Sequence, residues 1–171
     1  MTGQIHVYTG DGKGKTTAAL GLAIRAAGAG LNVFIAQFLK KGEYSELKAL
    51  RRFADRITVE QYGLGRFIQG SPETEDIQAA EKGLRGVDDI LSAGRHQVVI
   101  LDEANVAVAY GLFDVGQLLA LAEKKPAQTE LIITGRGASE AIIERADLVT
   151  EMKAIKHYFA KGVQARIGIE K

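Results

Sequence analysis

Residues Thr9 to Thr17 read TGDGKGKTT, after a short β-branched run and before an alanine-rich stretch with helical character. Gly10, Gly12 and Gly14 permit a backbone with positive φ. Successive N–H groups are then expected to turn inward and cradle an anion. A helix N-terminus just behind the loop adds unpaired donors and a partial positive charge. Lys15 would reach the outer phosphates, and the Thr16 hydroxyl can ligate Mg²⁺. The chemistry is that of holding a nucleoside triphosphate. Its candidate contacts are Thr9, Gly10, Asp11, Gly12, Lys13, Gly14, Lys15, Thr16 and Thr17. The common form G-x-x-x-x-G-K-[ST] places a glycine where this chain has Thr9. Either Thr9 substitutes for it, or the loop opens at Gly10 and is one residue shorter.

The run VVILDE, ending in Asp102 and Glu103, has the pattern of a buried strand that delivers carboxylates at its C-terminal end. Ligands bind at that end in open parallel sheets. One carboxylate can hold a metal shell and the next can orient a metal-bound water. Spacing does not decide which of Asp102 and Glu103 approaches the metal. Thr134-Gly135-Arg136-Gly137 follows another apolar run. Arg136 there either neutralises phosphate charge, contacts a second ligand, or sits in solvent. Gln37-Phe38-x-Lys40 ends a third run and invites the same argument more weakly. Lys13 is a second loop cation, for a leaving polyphosphate or for solvent. His6, His96 and His157 show no metal-ligand spacing and read as satisfied or surface groups. Tyr8, Tyr62, Tyr110, Phe67, Phe113 and Phe159, taken singly, read as core rather than platform.

The elements that must position these groups alternate between strand and helix, which predicts βαβ units and a mostly parallel sheet. The expected strands are Ile5–Tyr8, Asn32–Phe38, Ile57–Tyr62, Gln97–Leu101, Thr129–Thr134 and Asp147–Met152. The expected helices run from Thr17 to Ala27, from Glu43 to Phe53, from Ser71 onward, from Asp114 to Lys124, and briefly after Ser139. Ser71 as N-cap and Pro72 at the first helical position would start the third of these. Its buried face would be Ile77, Ala80, Leu84, Val87 and Leu91. Asp114 and Gln117 form a capping box. Gly63–Gly70 is a glycine-bearing loop, and the tail from Lys156 to Lys171 is polar.

The chain has 171 residues, 46% of them apolar, with a formal net charge of +1. That length suits one domain over residues 1–171, with a proper core. The near-neutral charge disfavours duplex nucleic acid as a partner. There is no cysteine, which rules out disulfides, thiolate metal sites and cysteine nucleophiles. No apolar stretch approaches the roughly 20 residues that span a bilayer, and the N-terminus lacks signal-peptide features. A cytoplasmic protein with no membrane partner is expected.

Together these residues resemble the P-loop corrinoid adenosyltransferases, an ATP:cob(I)alamin adenosyltransferase family of RecA-like α/β fold. The matching stretches are TGDGKGKTTAALGLAIRAAG, QFLKKGE, VVILDEANVAVAYGL, LIITGRGA, ADLVTEM and KHYFAKGVQARIGIE. The phosphate loop of that family is itself of the short G-x-G-K-G-K-T-T kind, which accounts for Thr9. The resemblance implies a three-layer, P-loop NTPase-like sheet flanked by helices. It also implies a reaction: Co(I) of a reduced corrinoid attacks the ribose C5′ of ATP, and triphosphate leaves. Lys15, Thr16, Glu103 and Arg136 would carry it. Thr16 and Glu103 would hold Mg²⁺ (or Mn²⁺), with Asp102 beside them. Gln37, Phe67 and Asn105 would face the corrinoid. A homodimer, and an electron-donating reductase or flavodoxin, are further implications.

Two departures from the family pattern bear on the corrinoid. Many members carry an N-terminal extension, whereas here four residues precede Ile5. Many members also place Phe-x-Trp after the third strand, where it helps strip the lower axial ligand. This chain reads GLGRFIQG there and has no tryptophan, so Arg66, Phe67 and Ile68 are the candidates for that surface. A relaxed site, or a preference for corrinoids without the lower base, would follow. Alternatives that the motifs alone leave open are a P-loop NTPase acting on nucleic acid and a small nucleoside kinase.

Overall fold

The computed structural model describes residues 2–68 and 70–170. Apolar runs of five and six residues become the inner strands: β1 (Ile5–Thr9), β2 (Val33–Phe38), β4 (Val98–Asp102) and β5 (Glu130–Thr134). β3 (Ile57–Tyr62) and β6 (Leu148–Glu151) are the edges. All pairings are parallel and the order is β3-β2-β4-β5-β1-β6. β2 is buried along its whole length and so are β4 and most of β5, because helices cover both faces of a parallel sheet.

One face packs under α1 (Lys15–Gly28), where Ala19, Ala23 and Ala26 meet Val33, Ile35, Val98, Ile100 and Ile132. The other face carries α3 (Thr74–Ala93), α4 (Ala104–Ala109), α5 (Val115–Lys124) and α6 (Glu140–Arg145). Its core includes Val7, Phe34, Phe38, Leu84, Val87, Val99, Leu101, Leu118 and Ile133. Each such buried side chain stabilises the fold by about 1.5–3 kcal/mol relative to exposure. The helical periodicity of α3 is realised: Ala80, Leu84, Val87 and Leu91 are buried and Ile77 packs beside them. Gly83 lets the helix approach the sheet, since a Cβ there would lie 2.7 Å from Tyr62 Cγ and 2.8 Å from Phe38 Cε1.

The caps divide into those expected and one that differs. Asp114 and Gln117 form their reciprocal box, and the Ser139 hydroxyl accepts from Ile142 N. The start of α3 is displaced from Ser71–Pro72 to Glu73, the N-cap residue, whose N–H donates to Asp76 Oδ2 at 3.1 Å. Arg66 bridges Glu73 and Asp76 at 2.6 and 3.1 Å. That ion-paired cluster fixes the first turn two residues beyond the proline. The segment expected as one helix from Glu43 to Phe53 is α2 (Ser45–Leu50) followed by a 3-10 turn at Arg51–Phe53. The Gly63–Gly70 loop and the C-terminal tail are described except at Gln69 and Lys171, which lie outside the described residues.

Candidate functional site

The sheet gathers the chemistry-bearing residues at one edge. Strand register sets Gln37 opposite Asp102, and Thr134 follows Ile133, the partner of Leu101. β1 ends at Thr9, and the phosphate loop passes over the same edge into α1.

The loop is tighter than its sequence suggests. Gly10 and Gly14 have φ of 92° and 123°, as expected of a backbone that curls around an anion. Gly12 departs from that expectation. Its φ is not positive, and its N–H donates to Met152 O at 2.6 Å instead of pointing inward. A Cβ on Gly12 would lie 2.6 Å from that carbonyl, so glycine is required by the strand β6 exit and not by φ. Thr9 also serves the loop frame. It is buried, and its hydroxyl accepts from Ala138 N at 3.3 Å while its carbonyl accepts from Met152 N.

Lys15 is buried and curls over its own loop, donating to Gly10 O at 2.6 Å and Gly12 O at 2.8 Å. Burial holds its pKa below the usual lysine value; the nearby Arg136 adds to this, while Glu103 and Asp11 oppose it. Triphosphate oxygens would draw this ammonium from the two carbonyls.

Asp102 is the most heavily bonded side chain of the site. It is 1% exposed and accepts from four donors: Thr16 Oγ1 and Thr134 Oγ1 on Oδ1, both at 2.8 Å, and Lys40 Nζ at 2.8 Å and Gln37 Nε2 at 3.3 Å on Oδ2. A buried carboxylate requires such pairing. Burial alone would lower the pKa of Lys40, but the attraction and hydrogen bond of Asp102 outweigh it and raise the value. Gln61 donates in turn to Gln37 Oε1 at 3.1 Å.

Glu103 differs from its neighbour. It sits in the left-handed region at φ 62°, which is strained for a non-glycine residue. Its backbone N–H donates to Thr134 Oγ1 at 3.0 Å, which helps to hold that conformation. Its carboxylate has no hydrogen-bond partner among the described residues. Burial first, then repulsion from Asp102, pushes its pKa up, against the pull of Lys40, Lys15 and Arg136. This is an anion placed for a cation or a proton. The Thr16 hydroxyl spends its proton on Asp102 and keeps lone pairs for another partner. Two hard oxygen donors beside the glycine loop suit Mg²⁺, which would complete its shell with waters and phosphate oxygens. Among the described residues, no group of three or more acidic, histidine or cysteine side chains could hold a metal unaided.

Two cavities open here. The first, of about 780 Å³, is lined by Asp11–Thr17, the outer face of α1, Lys40, Glu103, Arg136 and the tail residues His157 and Gly168–Glu170. The second, of about 630 Å³, is lined by Leu39, Gly65–Ile68, Val106, Ala109, Tyr110 and Gly137. They share a wall made of Asp11, Lys40, Tyr44, Glu103 and Arg136.

The candidate residues therefore separate. Lys15, Thr16, Glu103 and Arg136 line the first cavity together with Asp11, Gly12, Lys13, Gly14 and Thr17. Thr9 and Gly10 build the loop without lining it. Phe67 is 95% exposed at the mouth of the second cavity, where Ile68 also contributes. Arg66 lines that cavity too, but its guanidinium is taken by Glu73 and Asp76. Gln37 and Asn105 are buried and line neither cavity. Gln37 supports Asp102, and Asn105 Nδ2 donates to Gly135 O at 3.4 Å.

Three features escaped sequence reasoning. Thr134 is a hydroxyl partner of Asp102, at a position that reads as the last residue of an apolar strand. Lys40 carries an ion pair that strand-end position only hinted at. The tail folds back on the phosphate loop, with Lys13 Nζ on Ile169 O at 2.7 Å. Tyr158 and Arg166 bond Glu170, and together they hold its carboxyl down to about 2. No local pattern announces a contact across more than 150 residues.

The parallel sheet, the glycine loop over its C-terminal edge and the paired carboxylates define a P-loop NTPase-like α/β protein. Residues 1–170 match the family described as ATP:corrinoid adenosyltransferase BtuR/CobO/CobP. The chain is 35% identical over 169 residues to a corrinoid adenosyltransferase of Pseudomonas aeruginosa, covering 98% of this chain and 83% of that one. It is 37% identical to a corrinoid adenosyltransferase of Sinorhizobium, over 98% and 80% of the two chains. It is 35% identical to that of Escherichia coli, over 98% and 85%. The chain belongs to the ATP:corrinoid adenosyltransferase family and is an enzyme of the transferase class. Neither the P-loop NTPase acting on nucleic acid nor the small nucleoside kinase matches this family.

Proposed function

We propose that residues 1–171 act as one catalytic domain that transfers the 5′-deoxyadenosyl group of ATP to the Co(I) centre of a reduced corrinoid. The C5′–O bond breaks as the cobalt–carbon bond forms. Triphosphate leaves with the bonding pair, and cobalt gives up two electrons. The observation that carries this reading is the wall shared by the two cavities. It sets the charged triphosphate cleft against a second, largely apolar cavity, which suits two substrates meeting at one point.

In this reading Gly14, Lys15, Thr16 and Thr17 hold the triphosphate, and Lys13 and Arg136 offset the charge it gains on leaving. Thr16 and Glu103 would hold Mg²⁺, which would supply further neutralisation. Cobalt is the nucleophile, so the protein contributes positioning, charge and exclusion of water. Phe67, Ile68 and Tyr110 offer apolar surface to the corrinoid. A cytoplasmic homodimer served by an electron-donating reductase or flavodoxin fits this chemistry. Among the described residues, no helix is long and apolar enough to cross a membrane.

The test is incubation with ATP, Mg²⁺ and chemically reduced cobalamin or cobinamide. The expected products are a light-sensitive organocobalt corrinoid and triphosphate. A folded protein that binds ATP yet yields neither would overturn the proposal.

A further inference from the structure

Asp102 and Glu103 are adjacent carboxylates at one strand end, yet their surroundings are opposite. Asp102 has its lone pairs filled by Thr16, Thr134, Gln37 and Lys40, whereas Glu103 accepts from no side chain among the described residues. The Lys40 ammonium takes the Asp102 oxygen that is not bonded to the two threonines, at 2.8 Å and with its side chain 18% exposed.

The backbone is shaped to keep Lys40 there. Among the described residues, the two non-glycine residues with positive φ are Leu39 and Glu103, both at 62°. They follow adjacent strands and flank the Lys40–Asp102 pair. Gly63, just beyond β3, makes room for the first of them. A Cβ on Gly63 would lie 2.4 Å from Leu39 C and 2.6 Å from Lys40 N. Strain of this kind persists only where the surroundings over-determine it. Lys40 also lies 5.7 Å from the centroid of the Tyr44 ring, a further constraint on its head group.

We propose that Lys40 is a positioning residue that keeps the divalent cation off Asp102 and leaves it to Thr16 and Glu103. This rests on the metal role proposed above for Thr16 and Glu103. Without the ammonium, Asp102 Oδ2 keeps only the longer bond from Gln37, and with Glu103 it forms a pair of neighbouring carboxylates, which draws a hard cation without help from phosphate. With Lys40 in place, tight metal binding waits for the triphosphate. The cation is then held on the oxygen of the Thr16 hydroxyl, on the side of the leaving group.

Titration with Mn²⁺ followed by electron paramagnetic resonance, in the absence of ATP and corrinoid, tests this directly. Lys40→Met is expected to bind Mn²⁺ at least about tenfold more tightly than the unmodified protein, a change of ~1.4 kcal/mol. The gain is expected to vanish in Lys40→Met/Asp102→Asn, and Lys40→Arg is expected to behave like the unmodified protein. Affinity of Lys40→Met within about twofold of the unmodified protein overturns the proposal, as does a gain that survives Asp102→Asn. If the buried carboxylate left by Lys40→Met prevents folding, Lys40→Gln keeps a hydrogen bond to Asp102 without the charge, and the same comparison decides. The readout requires no adenosyl transfer, so its failure leaves the reading of the reaction to its own test.

Discussion

The two cavities are built by different means. The floor of the first is one continuous segment, Asp11 to Thr17, in which backbone geometry does most of the work; α1, the segment after β2, Glu103, Arg136 and the tail complete its walls. The second is assembled from residues after β2, after β3, on α4 and after β5, and its walls are side chains. A loop made of backbone tolerates little change, because Met152 O sits where a Cβ on Gly10 or Gly12 would fall. A surface made of dispersed side chains can vary residue by residue and keep its shape. Triphosphate recognition should therefore be brittle in this enzyme, and corrinoid recognition graded.

The largest effects should come from the shared edge of the first cavity, and there they should divide. Lys15→Ala removes the ammonium proposed to meet the phosphates, so ATP binding by calorimetry and adenosyl transfer should be lost together. Glu103→Ala leaves Lys15 and the loop intact. It should lower turnover by about 10²-fold, the scale on which loss of one preorganised charge is felt, while ATP affinity changes little. If both variants lose ATP affinity equally, the division between binding and turnover is wrong.

How much of this could be read in the sequence follows from the same division. The phosphate loop, the six strands and the VVILDE edge are local patterns, and each appears where its pattern puts it. The Ser-Pro signal points two residues too early for α3, because its cap depends on Arg66, a residue outside the helix whose ion pairs with Glu73 and Asp76 outweigh that signal. Gln37 and Asn105 read as ligand contacts because they end a strand and open a helix at the right edge. Their burial and their bonds to Asp102 and Gly135 are not legible there, because burial depends on how neighbouring strands pack. The Gly12–Met152 bond and the Lys13–Ile169 contact join segments distant in sequence, so no local pattern encodes them. What is legible is what a single segment decides for itself.

A smaller effect would sharpen the contrast at the second cavity. Phe67 is almost wholly exposed, so Phe67→Ala removes no core packing and should leave the melting temperature unchanged. An aromatic face in contact with a ligand is worth about 0.5–1.5 kcal/mol. The KM for the corrinoid should then rise severalfold and the KM for ATP stay constant. A comparable rise in both would mean that the two cavities are not separate in function. Phe38→Ala provides the opposite control. Its ring is fully buried, 5.3 Å from that of Phe113 and 6.0 Å from that of Tyr62, so its loss should cost about 3–5 kcal/mol of stability.

The smallest effect expected is a pH dependence of stability set by Glu103. Its folded-state pKa is raised, chiefly by burial and then by Asp102, so the folded protein holds this proton to higher pH than the unfolded chain does. The unfolded chain therefore releases more protons between the two pKa values, and the contribution of Glu103 to stability falls as pH rises through that window. This is the reverse of a carboxylate held down by a partner, such as Asp76, whose pKa is lowered by Arg66. Glu103→Gln removes the charge and keeps the shape. Its melting temperature should exceed that of the unmodified protein at neutral pH, and the gap should close as the solution is acidified through the carboxylate range. Added Mg²⁺ with ATP should close the gap from the other side, by stabilising the protein that retains Glu103 more than the variant. A gap that stays constant with pH would show that Glu103 bears no penalty in the folded protein, and that the site does not store an unpaired charge for its cation.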